Sequence, residues 1–102
     1  MLNIKEEFSA KKVMGDHKIW KADTEESLKK KLYRHMAKEV LNDKTKAILY
    51  NKITILPYDK MKEERASVQG RKKFALVYLD EKGNSHKHYM TVEYNHYLRV
   101  SR

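Results

Sequence analysis

Leu28, Leu32, Met36 and Val40 recur every four residues, Tyr33 and Ala37 border their stripe, and lysine and arginine fill the opposite side. A helix turns once in about 3.6 residues, so this spacing collects the apolar side chains on one face and predicts an amphipathic helix over about residues 24–42. Asp23 followed by Glu26 supplies a capping-box start, and Asn42-Asp43 a stop.

Two later runs read as strands. Residues 47–56, AILYNKITIL, are rich in β-branched side chains and end at Pro57, which cannot donate to a ladder. Residues 74–79, FALVYL, are apolar at successive positions, as a central strand covered on both sides would be. Asp80 to Ser85 then provides the glycine and asparagine of a turn, after which His88, Met90, Val92 and Tyr94 alternate with Lys87, Tyr89, Thr91 and Glu93. That alternation predicts an antiparallel return with one wet face.

Two segments admit alternatives. Phe8 to Met14, Gly15-Asp16 and His17 to Ala22 form a hairpin pattern that delivers Ile19 and Trp20 to the core; the rival is a helix over residues 3–14, capped by Asn3 and Glu6 and stopped at Gly15. The hairpin is preferred. Residues 59–70 read as a short helix from Asp59 to Gly70 or as a loop.

The expected fold is one α+β domain in the order ββαβββ, with an antiparallel sheet of four or five strands and one main helix packed on one face. Its core should comprise Ile19, Trp20, Leu28, Leu32, Met36, Val40, Leu49, Ile53, Ile55, Phe74, Leu76, Val77, Met90 and Val92. A length of 102 residues and 40% hydrophobic content suit a single core.

Charge narrows the function. Lys and Arg number 23 against 14 Asp and Glu, a formal net charge of +9. Such an excess attracts polyanions, because neutralised phosphates release their counterions. The absence of cysteine excludes disulfides, thiolate metal sites and cysteine nucleophiles, and fits a cytoplasmic protein. The first residues lack the apolar stretch of a signal peptide, and no segment approaches the ~20 apolar residues that span a bilayer, so no membrane partner is expected. The phosphate-loop, dinucleotide and nucleophile-elbow motifs are all missing.

The candidate nucleic-acid contacts fall in three groups. Lys30, Arg34 and Lys38 form a column on the polar face of the helix, extended by Lys31, and residues 29–38 contain no acid to neutralise them. Arg71, Lys72 and Lys73, with Arg65 upstream, form a basic segment at the entrance of the central strand. Tyr89 should project from the wet face beside Lys87, where an aromatic flanked by cations can stack on a base. His86 and His88 share a strand face, but nothing nearby completes a metal site, and no cofactor is expected.

The sequence therefore predicts a small non-catalytic nucleic-acid-binding protein, acting on DNA or RNA mainly through charge. The alternative is an interaction protein of the kind carried by phages and mobile elements, which modulates an acidic protein partner or a nucleic-acid-processing complex. A metal-independent ribonuclease using His88 or His96 with Arg71 and Arg99 is a minor possibility. An exposed edge strand could also pair two copies as a homodimer.

Overall fold

A computed structural model describes residues 2–101. The chain begins with β1 (Asn3–Lys12), turns through residues 13–18, and returns antiparallel as β2 (Ile19–Ala22), placing Phe8 opposite Ala22 and Ala10 opposite Trp20. The hairpin is thus present and the helical alternative for residues 3–14 is not. Two features differ from expectation. The strand starts at Asn3 because the last strand pairs with it along its whole length, from Asn3 opposite Ser101 to Lys12 opposite Val92. The turn is longer than two residues and uses left-handed backbone at Gly15 (φ 93°) and His17 (φ 54°).

Helix α1 (Glu25–Leu41) is capped by Thr24, whose hydroxyl accepts from the Ser27 amide at 3.1 Å; the cap is not the expected Asp23. Leu28, Leu32, Met36 and Val40 are all 0% exposed, so the four-residue spacing identifies the buried face correctly.

The next segment corrects the sequence reading. Residues 47–56 do not form one strand: Lys44–Leu49 is a second helix, α2, and only Thr54–Ile55 is a strand, β3. Asp43 causes this. Its Oδ1 accepts from the amides of Thr45 (2.9 Å) and Lys46 (3.3 Å), so the residue expected to end one helix starts another. α2 buries no residue, and Leu49 is 64% exposed instead of lying in the core.

Residues 59–70 are neither a helix nor wholly a loop. A single 3₁₀ turn (Tyr58–Lys60) leads into β4 (Lys62–Glu64), which pairs with β5 (Arg71–Leu79). β5 pairs with β6 (Ser85–Ser101), the long return strand.

The result is a six-stranded antiparallel sheet in the order β2-β1-β6-β5-β3, with β4 also pairing β5. α1 packs on one face. Beneath it lie Phe8, Ala10, Trp20, Ala22, Phe74, Leu76, Tyr78, Met90 and Val92. The α+β class and the single main helix agree with the sequence reading, and β4 brings the strand count to six.

Core membership follows the strand period of two. Trp20 faces α1, so its neighbour Ile19 must face away, and it is 55% exposed. Val77 likewise lies on the face opposite Leu76 and is half-buried, while Ile53 and Ile55 pack at the margin of the core. Phe8, Ala10, Ala22, Ala75 and Tyr78 are buried although the sequence reading omitted them.

A candidate nucleic-acid interface

The exposed side of α1 divides in two. Lys31, Arg34 and Lys38, at spacings of three and four, turn toward the edge strand β2. Trp20 and Ala22 of that strand lie under α1, and Lys18, in the turn just before it, lies on the same side. These four cations, with Trp20 and His35, line a shallow groove of ≈ 200 Å³ between β2 and α1. No carboxylate lines it.

Lys31 ties the two walls together: its Nζ donates to the Lys21 carbonyl at 2.6 Å, on the sheet edge. Lys18 Nζ lies 5.9 Å from the Trp20 ring. Among the described residues, none of Lys18, Lys31, Arg34 and Lys38 forms an ion pair; Lys12, Lys29, Lys30, Lys46, Arg71, Lys72, Lys87 and Arg99 do, while other surface cations such as Lys11, Lys44, Lys60, Arg65 and Lys73 do not, so what marks the groove is the clustering of its cations.

His35 forms part of the groove floor. Its ring meets Trp20 edge-on at 4.8 Å, and its Nε2 is buried without a hydrogen-bond partner. Glu39 Oε1 lies 3.5 Å away without forming a hydrogen bond, a contact that is ionic only when the imidazole is protonated. Burial holds the imidazole pKa below its ordinary value; Glu39 and Asp16 oppose that shift, and the charges of Lys12 and Lys18 reinforce it. The nearest acid is itself occupied. Glu39 is bonded by Lys12 Nζ at 2.8 Å and faces His88 Nε2 at 3.4 Å. Burial raises its pKa, but those hydrogen bonds outweigh it and keep the carboxyl below its usual value.

The other predicted contacts are placed elsewhere. Lys30 leans away from the groove, 3.6 Å from Glu26 and 5.7 Å from the centre of the Tyr58 ring. Arg71 lies 3.8 Å from Glu93. Lys72 projects to the α1 side, where Glu25 (3.2 Å), Glu63 (3.4 Å) and the Tyr94 ring (3.9 Å) surround it. Burial alone would lower its pKa, yet these acids raise it, so its charge is used within the fold. Lys73 lies 4.3 Å over the ring of Tyr89 on the opposite sheet face, and Tyr89 is 45% exposed there, as its strand position implies. Arg65 is exposed between β4 and β5.

The helix cations and the 71–73 segment therefore do not merge. Of the residues singled out from sequence, Lys31, Arg34 and Lys38 come together; Lys18, Trp20 and His35 join them unforeseen. Lys18 lies just outside β2, and only the packing of that strand beside α1 brings it to the groove.

The ribonuclease set is not gathered either. His88 and His96 face the α1 side, while Arg71 and Arg99 belong to the opposite face and pair with Glu93 and Glu7. His96 stacks on Phe8 at 4.1 Å, and His86 contacts Asp80 at 2.9 Å. Among the described residues no group of three or more histidine or acidic side chains has the geometry of a metal site, and no helix is long and apolar enough to cross a membrane. No family model, curated protein or solved structure matches the chain.

Proposed function

We propose that this protein binds nucleic acid in the cytoplasm through the groove of Lys18, Lys31, Arg34 and Lys38. The observation that supports the reading is four neighbouring cations with no acid among the groove-lining residues. Unpaired cations keep their full attraction for phosphate, and the groove lets a backbone touch both β2 and α1. Base recognition is weak by the same geometry. Trp20 is only 9% exposed, and Lys73 already covers the Tyr89 ring, so neither offers an open stacking platform. Binding is therefore led by phosphate contacts and tolerant of sequence.

Anisotropy titrations of labelled random oligonucleotides over a range of salt test this. Affinity should fall steeply with salt, and Arg34→Gln with Lys38→Gln should weaken low-salt binding about tenfold and flatten the log–log slope by roughly 1.4 to 1.8. Arg71→Gln should bind like the wild type. No binding at low salt, or equal effects of the Arg34/Lys38 and Arg71 substitutions, would contradict the proposal. The separation of the two basic clusters supports a second reading, in which an acidic segment of a protein partner occupies the same groove. Recovery of one stoichiometric protein by a chain that ignores oligonucleotides would replace the first reading with the second.

A further inference from the structure

The sheet continues beyond its own support. β2 pairs only with residues 8–11 of β1, and β5 pairs with β6 no further than Glu93, so residues 3–7 and 97–101 form a two-stranded ribbon with both outer edges free of these strands. This arm contributes to the elongated shape, 58 × 24 × 22 Å. Isolated two-stranded ribbons are marginally stable in water, and exposed edges invite further pairing.

The arm is also unevenly covered. Ile4, Leu98 and Val100 belong to the face that α1 covers elsewhere in the sheet, but here they are 64%, 62% and 61% exposed, and Leu2 beside them is 61% exposed. The polar side chains on this face, Glu6 and the neighbouring His96, lie 3.4 Å apart. Among the described residues this face of the arm carries no lysine or arginine, with Lys5 and Arg99 only at its margin beside Glu6 and Val100, on a molecule of net charge +9. For a second copy of the same chain, this is where approach meets least repulsion. A cation-rich partner-binding groove lies elsewhere on the molecule.

From these features we infer that the arm is a dimerisation element, stacking face to face on the arm of a second copy about a two-fold axis near the Ile4–Val100 pair. The face is self-complementary, as an isologous contact requires. Stacked sheets lie about 10 Å apart, and covering the apolar side chains and flanking atoms of each ribbon removes roughly 500 Å² per copy. That total of about 1,000 Å² is at the lower end of specific interfaces, so the dimer is weak and concentration-dependent. Its salt dependence opposes that of nucleic-acid binding: salt screens the repulsion between two basic chains and strengthens the dimer.

Sedimentation equilibrium from about 10 μM to about 1 mM, at low and high salt, tests the inference. The mass should rise toward twice the monomer value, more readily at high salt, and Leu98→Asp or Ile4→Asp should raise the dissociation constant at least tenfold with the circular dichroism unchanged. Because the chain has no cysteine, Val100→Cys gives a second readout: a short thiol cross-linker should yield a single dimer band. A monomer throughout, an association indifferent to both aspartate substitutions, or no cross-linked dimer from a folded Val100→Cys chain would overturn the inference. Arg34→Gln should leave dimerisation unchanged.

Discussion

Leu32→Ala tests the packing that orients the groove. Leu32 is 0% exposed at the centre of the α1 stripe, with Leu28 and Met36 one turn to either side and equally buried. The substitution removes three carbon atoms, a transfer loss of about 2.4 kcal/mol at ~0.8 kcal/mol per group. Incomplete collapse of the space left behind adds about 1 kcal/mol, from ~24 cal/mol per Å³ over roughly 40–50 Å³. The sum, about 3–4 kcal/mol, is a large share of the ~5–15 kcal/mol that holds a typical domain together. For a chain of this size it corresponds to a fall in Tm of roughly 12–25 °C. Urea denaturation followed by far-UV circular dichroism measures it directly. Leu49→Ala is the internal control: Leu49 is 64% exposed on α2, so its truncation should cost less than about 0.5 kcal/mol. A Leu32→Ala loss below about 1 kcal/mol, or equal losses at the two sites, would refute the orientation of α1 and with it the groove.

Two further substitutions test local features. Asp80 accepts hydrogen bonds from His86 and from the Lys82 and Asn84 amides, which hold its pKa at about 2, below the ordinary 3.8. A depressed carboxyl stabilises the fold above the unfolded value and loses that contribution as pH falls toward the folded one, so the stability gap between wild type and Asp80→Asn should narrow from pH 5 to pH 2. A constant gap in acid denaturation would show that these bonds do not set the turn. Asp43→Ala removes both side-chain bonds that start α2 and should cost about 1 kcal/mol, with hydrogen exchange accelerating at Thr45 and Lys46. Unchanged exchange would mean that α2 does not depend on its cap.

What the sequence disclosed depends on how strongly tertiary structure enforced the local pattern. α1 was legible because four apolar positions at helical spacing all meet the sheet. β5 and β6 were legible because a turn with Gly83 separates their apolar runs, and Gly83 does adopt left-handed backbone (φ 83°). α2 was misread for the opposite reason: it buries nothing, so its β-branched residues suggested a strand while a single cap at Asp43 decided the outcome. Ile19 and Leu49 are as hydrophobic as core residues, but Ile19 lies on the strand face opposite Trp20 and Leu49 on a helix that buries no residue.

The candidate site was half legible for a related reason. The lack of acids over residues 29–38 pointed to α1, but the sequence cannot show which cations the fold will neutralise. Lys72 looked like a phosphate contact until β5 brought it between Glu25 and Glu63, 47 residues upstream and nine residues upstream of it. Lys18, by contrast, gained its place only when β2 was laid beside α1.

The most direct measurement of the central claim is an NMR titration of the ¹⁵N-labelled protein with a short random oligonucleotide at low salt. The account predicts shift changes concentrated at Lys18, Trp20, Lys31, Arg34, His35 and Lys38, including the Trp20 indole and the Arg34 guanidinium. Changes centred on Arg71, Lys73 and Tyr89, across the sheet from α1, or no changes at all, would contradict it.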